Sequence, residues 1–219
     1  MEVIMKIIRI AIDGGAASGK STISKLLATE FNLLHVDTGS HYRVITAVLF
    51  EKKIPIEQKE ISNFLKDLEP NTLVEDHQSF LSICGINPKS YDIRSTNVNN
   101  RVSQVASIPS VRAFLLSYQR SQTKIVKKYH FAGLVMEGRD IGSVVMPDAE
   151  WCFFFHASAE DRQRRRDSQG QADDILKRDL LDSSRSNAPL KKAPHAIPID
   201  TGVNNVEEVL KIIKYKLRS

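Results

Sequence analysis

The chain has 219 residues, 42% of them hydrophobic and 26% charged, with a net charge of +5. That size and balance suit one globular domain with a real core and room for a small insertion, and they exclude a disordered or fibrous chain. No run of about 18 apolar residues occurs, which excludes a membrane-spanning helix.

The opening residues, Met1-Glu2-Val3-Ile4-Met5-Lys6, lack the cationic start, long apolar stretch and small-residue cleavage site of a secretory signal, so a cytoplasmic protein is expected. Ile7–Ile12 then reads as a buried strand. It leads straight into Gly14-Gly15-Ala16-Ala17-Ser18-Gly19-Lys20-Ser21, which fits G-x-x-x-x-G-K-[ST]. Small residues let backbone N–H groups converge on phosphate oxygens. Lys20 brings a point charge to the β/γ-phosphates, and the Ser21 hydroxyl can enter a Mg²⁺ shell. Ile23, Leu26 and Leu27 mark a helix whose N-terminus faces the same phosphates. The loop predicts ATP contacts from Asp13, Gly14, Gly15, Ala16, Ala17, Ser18, Gly19, Lys20, Ser21 and Thr22, with Ser21 as the metal ligand and Lys20 as a catalytic residue.

Leu33–Val36 is the second predicted strand. Asp37-Thr38-Gly39-Ser40-His41-Tyr42-Arg43 follows into a helix over Tyr42–Glu51. Thr38 and Arg43 can face an acceptor at the strand end, or Asp37 or Thr38 can simply cap the helix. Residues 56–94 break the strand–helix rhythm. A helical segment Glu57–Leu68 is followed by β-like pieces at Thr72–Glu75, Phe80–Cys84 and Tyr91–Ile93, with turn signals at Pro70 and Gly85–Pro88, and the whole reads as an inserted subdomain. Helical patterns follow at Val98–Gln104 and Val111–Lys128, then a strand at Gly133–Met136 that ends in Glu137-Gly138-Arg139-Asp140. Glu137 can order a Mg²⁺ shell through water, Gly138 lets backbone approach a ligand, and Arg139 and Asp140 offer a phosphate donor beside a base or sugar acceptor.

Cys152–Phe155 and Ala196–Ile199 complete five predicted strands, with helices at Glu160–Arg166 and Val206–Leu217. Short buried strands alternating with helices predict an α/β fold: a parallel sheet of about five strands covered on both faces, binding ligands beyond the strands' carboxyl ends. The two cysteines, Cys84 and Cys152, are far apart in apolar surroundings and read as buried thiols in a reducing compartment.

Positive charge clusters at Arg162, Arg164, Arg165 and Arg166, and again at Lys211, Lys214, Lys216 and Arg218 on the last helix. No aromatic residues interleave with the arginines, so a polyphosphate is a better partner for them than nucleic acid. Residues 167–174 read as a mobile connector to a second Arg-bearing helix. There Arg178, Asp182 and Arg185 fall at i, i+4, i+7 on one face, as either a solvated ion-pair stripe or a grip on phosphate and ribose.

Taken together, Gly14–Thr22, Asp37–Arg43, Ile93–Arg112, Glu137–Gly142 and Lys177–Pro189 resemble the bacterial-type cytidylate (CMP) kinases of the nucleoside monophosphate kinase group. The resemblance implies a phosphate-loop core (1–55, 95–159 and 186–219), a monophosphate-binding insertion near 56–94 and an Arg-rich lid near 160–185. It also implies transfer of the ATP γ-phosphoryl group to CMP or dCMP, with Mg²⁺, in a monomer that needs neither nucleic acid nor membrane. Matched residue by residue, it puts Thr38, Arg43, Ser103, Arg112, Arg139, Asp140, Arg178, Asp182 and Arg185 around CMP. Arg43 and Arg139 would meet its phosphate, Asp182 and Arg178 its ribose, and Arg112, Asp140 and Ser103 its base. Arg139, Arg178 and Arg185 would join Lys20 in catalysis, and Arg165 would serve ATP. The chain departs from the family pattern with Ser40-His41 in place of a small-apolar pair, Gly15 where Pro is frequent, and a short 167–174 connector.

Rival readings lack their markers. A GTPase should carry an N-K-x-D guanine reader, which is absent, and an RNA-binding module should carry aromatic platforms. Another phosphate-loop kinase, acting on shikimate, gluconate or a different monophosphate, is the nearest rival. Arg112 with Asp140 favours a polar planar base over a polyol or carboxylate.

Overall fold

The computed structural model describes residues 7–168, 175–183 and 189–218, with the side chains of 176–178 excepted. Five strands run parallel: β1 (Ile8–Gly14), β2 (Leu33–Asp37), β5 (Gly133–Gly138), β6 (Trp151–His156) and β7 (Ile197–Asp200). They match the five strands expected from the sequence. Two more, β3 (Asn71–Glu75) and β4 (Gln78–Ser82), form an antiparallel hairpin whose second strand docks on β2, so the sheet has seven strands in the order β3-β4-β2-β5-β1-β6-β7. The expectation of about five falls short because that docking rests on two aligned pairs, His35 with Gln78 and Val36 with Ser79. No local pattern announces it. Tyr91–Ile93 forms no strand.

On β1, Ile10 and Ile12 point to one face and Ala11 to the other, and all three are fully buried, as a central strand covered on both sides requires. Below one face lie α1 (Lys20–Glu30) and α8 (Val206–Arg218), whose Ile23, Leu27, Val209 and Ile213 close a cluster with Val135, Phe153 and Phe155. α8 is begun by a reciprocal cap, Asn205 with Glu208, at 2.8 and 3.1 Å. The opposite face is covered by α5 (Pro109–Lys128), started by proline at its first turn, and by a π-helical turn at Ile141–Val145.

The third apolar cluster joins α2 (Thr38–Glu51), α3 (Gln58–Leu65), α4 (Thr96–Ser107), α5 and the hairpin, through Val48, Ile61, Leu81, Val105 and Leu115. Residues 56–94 therefore share a core with the surrounding helices. Cys84, expected to be buried, is exposed. With Gly85 it forms the tip of a tight turn between Ile83 and Ile86, both tip residues having positive φ (50° and 79°), so its side chain faces outward. Cys152 is buried as expected.

The helices α6 (Ala159–Ser168) and α7 (Ile175–Ser183) follow β6. The predicted stripe is partly visible: Asp182 lies on α7, while Arg185 and the side chain of Arg178 lie outside the described residues, as does most of the 167–174 connector.

Candidate active site

The phosphate loop connects β1 to α1 through residues in unusual backbone conformations. Ala17 and Gly19 have positive φ (55° and 87°), and Gly19 starts α1 without any side-chain cap, leaving the helix's first amides to the cavity in front of them. Lys20 Nζ bends back over the loop, donating to Gly15 O at 2.7 Å and Ser18 Oγ at 3.3 Å. Burial, reinforced by the nearby Arg139 charge, pulls its pKa down to about 7. Asp13, expected among the nucleotide contacts, commits both carboxylate oxygens to Ile141 N and Gly142 N at 2.8 Å each. Burial pushes it up to about 6 against the pull of those two bonds. Its observed work is to hold the π-turn behind β5.

Ser21 Oγ donates to Glu137 Oε1 at 2.7 Å, joining the start of α1 to the end of β5. The same carboxylate oxygen lies 2.9 Å from His35 Nε2 on β2. Sequence reasoning did not single out His35, and only the β2–β5 register, Asp37 opposite Glu137, could have found it. Asp37 caps α2 by accepting from Ser40 N at 3.1 Å. Its carboxyl is held low: burial opposes this, but Arg94 at 3.8 Å, His35 and His41 outweigh it. Thr38 Oγ1 donates to Glu137 O at 2.7 Å. A side chain on Gly138 would meet that hydroxyl at 2.5 Å and Ile141 at 2.7 Å, so packing of strand against helix alone calls for glycine here.

Arg43 is buried and donates to Ile93 O (3.1 Å) and Asn99 Oδ1 (2.5 Å), fastening α2 to the start of α4. Arg112 ion-pairs with Asp140 and donates to Ala106 O at 3.3 Å, and both partners are about nine-tenths buried. Arg139 Nε donates to Asp182 Oδ2 at 3.0 Å, bringing α7 to the end of β5. The arginine cluster of α6 does not form one patch. Arg165 reaches Thr201 O, Arg164 pairs with Asp161 at the surface, and Arg166 is buried. Arg162 pairs with Asp179 of α7 and donates to Ala16 O at 3.2 Å, while Asp179 Oδ1 accepts from Ala16 N at 3.2 Å. This Arg162–Asp179 clasp on the phosphate loop was not anticipated from the sequence. It explains Gly15, where a Cβ would come within 2.8 Å of Arg162 and 3.0 Å of Asp179.

A cavity of about 690 Å³ lies in front of these strand ends. Its wall brings together Ala16–Thr22 of the loop with Thr38, Arg43, Ser103, Arg112, Arg139, Asp140, Arg165 and Asp182, along with Glu137, Tyr42, Arg94 and Arg166. Asp13, Gly14 and Gly15 do not line that wall.

The model of the family described as "Cytidylate kinase" matches residues 10–219. A cytidylate kinase of Geobacillus sp. (strain WCH70) is 40% identical over 217 residues, covering 93% of each chain. One of Fusobacterium nucleatum is 40% identical over 220 residues, covering 95% of this chain and 96% of the other. One of Streptococcus pneumoniae (strain 70585) is 37% identical over 225 residues, 96% and 97% of the two. Among solved structures, a sugar kinase from Janibacter sp. HTCC2649 aligns with TM-score 0.50 at 12% identity over 97% of this chain and 95% of that one. A protein from Eubacterium ventriosum aligns with TM-score 0.51 at 13% identity over 97% and 99%. These two speak for the fold alone. Strand order, phosphate loop, cavity wall and relatives along nearly the whole length agree: the chain belongs to the cytidylate kinase family.

Proposed function

We propose that this protein transfers the γ-phosphoryl group of ATP to CMP or dCMP. The observation that carries the reading is one cavity whose wall holds both a phosphate loop and the Arg112–Asp140 pair. The acceptor is a phosphate oxygen, already anionic, so positioning and charge neutralisation suffice and no strong general base is needed. Lys20 stabilises charge on the transferring group. Arg43 and Arg139 hold the acceptor phosphate, and Arg178 and Arg185 act with them from the lid, residues 160–185. Asp182 and Arg178 take the ribose, and Ser103 sits with Arg112 and Asp140 near the base. Arg165 serves the ATP side. Residues 56–94 act as the monophosphate-binding part, and closure of lid and insertion keeps water from accepting the phosphoryl group.

The donor set fits Mg²⁺. Ser21 Oγ and the Glu137 carboxylate are hard oxygens 2.7 Å apart, and Mg²⁺ takes one or two protein oxygens and completes its shell with water and phosphate. When bound, Mg²⁺ supplies neutralising charge at the β- and γ-phosphates.

The base reader gives the test. Cytosine presents an amino donor beside ring N3 and O2 acceptors, which suits a carboxylate beside a guanidinium, whereas uracil reverses the first two positions. Asp140→Asn keeps an oxygen that can accept from Arg112, so the guanidinium retains a hydrogen-bond partner although it loses its counter-charge, and turns the other oxygen into a donor. In a coupled ADP-release assay the variant should lose roughly 10-fold or more in kcat/KM for CMP and gain relative activity toward UMP. An unchanged CMP-to-UMP ratio would show that Asp140 does not read the base. Absence of CMP turnover by the unmodified protein would overturn the reading altogether.

A further inference from the structure

His35 lies on β2 between Leu34 and Val36, both fully buried, and is itself only 3% exposed. A buried imidazole is costly unless its nitrogens find partners. Side chains two apart on a strand share a face, so His35 shares the face of Asp37, and Asp37 is the register partner of Glu137. His35 Nε2 therefore reaches Glu137 Oε1 diagonally across the β2–β5 pair, at 2.9 Å. A carboxylate oxygen only accepts, so Nε2 carries the hydrogen and donates it.

That same oxygen accepts the hydrogen of Ser21 Oγ at 2.7 Å. A serine hydroxyl has one hydrogen and two lone pairs. With the hydrogen committed to Glu137, the lone pairs of Ser21 turn away from the carboxylate and toward the cavity that Ser21 lines. Both bonds land on Oε1, so neither of them occupies Oε2 of Glu137, a residue that lines the same cavity. A glutamate side chain has three rotatable bonds, and without a second anchor it can swing, leaving the Ser21 hydroxyl free to rotate its hydrogen toward a cation.

We propose that His35 is a positioning residue: by donating to Glu137 it holds Ser21's lone pairs and Glu137's second oxygen toward the Mg²⁺ of bound ATP. This rests on the phosphate-loop kinase reading above, in which Ser21 and Glu137 serve that cation.

The experiment measures ATP binding by titration calorimetry in EDTA and in excess Mg²⁺, with no CMP present, so that it stands apart from the identity of the acceptor. His35→Leu removes the donor at similar bulk. His35→Gln keeps an amide donor within reach of Glu137. The unmodified protein should bind ATP more tightly with Mg²⁺. His35→Leu should lose about 10-fold or more of that gain, the scale on which partners of metal-binding groups act. In EDTA it should bind ATP as the unmodified protein does, and His35→Gln should keep most of the gain. His35→Asn, polar but too short to reach, replaces the leucine variant if that one fails to fold. A full Mg²⁺ gain in His35→Leu, or an equal loss in EDTA and Mg²⁺, would overturn the positioning role. No gain in the unmodified protein would overturn the cation assignment together with it.

Discussion

Both ring nitrogens of His41 are buried without a hydrogen-bond partner among the described residues, and the ring meets Tyr118 edge-on with centroids 5.1 Å apart. Burial drives its pKa down to about 4, with Asp37 pulling weakly the other way. In the unfolded chain the same group titrates near 6.5, so between pH 6.5 and 4 the unfolded state takes up a proton that the folded state refuses. Stability from this residue is full above pH 6.5 and falls by about 3 kcal/mol as the pH drops to 4. Asp13 works in the opposite sense. Its raised pKa, about 6, makes its charged form unfavourable above that pH and relieves the penalty on acidification, so the total curve mixes the two. The difference between variant and parent separates them. His41→Leu should be more stable by about 1–2 kcal/mol at neutral pH, the unpaired polar group outweighing the lost ring contact. That margin should widen toward pH 4. Urea unfolding of both proteins at several pH values checks this, and a pH-independent difference would rule out His41 as the acid-sensitive group.

At the scale of elements, α7 is held by two acidic residues three apart on one helix face. Asp179 bonds the phosphate loop and Arg162, and Asp182 bonds Arg139. Arg162→Ala would leave the mostly buried Asp179 carboxylate facing Ala16 N–H alone. Opening of α7 should become easier by about 1–3 kcal/mol, so its amides should exchange hydrogen roughly 5- to 150-fold faster while α1 and α5 stay protected. Equal exchange in α7 would mean that the clasp carries no weight. What could be read ahead of the structure follows the range of the interactions. β1, the loop and α1 were legible because a strand, a glycine pattern and a helical period sit side by side. The gathering of Thr38, Arg43, Ser103, Arg112, Arg139, Asp140 and Asp182 around one cavity was legible through family resemblance. The bond from Asp13 to Gly142 spans 129 positions, and His35 with Glu137 spans 102. Both depend on strand register, which periodicity does not reveal. The joining of β4 to β2 escaped for the same reason, and the outward Cys84 escaped because apolar neighbours masked a two-residue turn.

For the whole molecule, the cavity lies at the carboxyl ends of the parallel strands, and its wall takes Arg94 from residues 56–94 and Arg165, Arg166, Ser168 and Asp182 from α6 and α7. Cys84 sits at an exposed turn tip within residues 56–94. Cys152, the only other cysteine, is buried, and that burial pushes its thiol up to about 11, far from the reactive thiolate. The chain also has one tryptophan, Trp151, on β6 in the sheet. The chain thus carries a natural optical ruler: one labelling handle within residues 56–94 and one intrinsic donor on the central sheet. The folded protein should take up a single equivalent of a maleimide dye, at Cys84, and uptake of two would contradict the assigned burial. If the insertion closes over the cavity as proposed, energy transfer from Trp151 to that dye should change more with ATP and CMP together than with either alone. A signal indifferent to both nucleotides would leave residues 56–94 rigid and remove their closure from the proposed reaction.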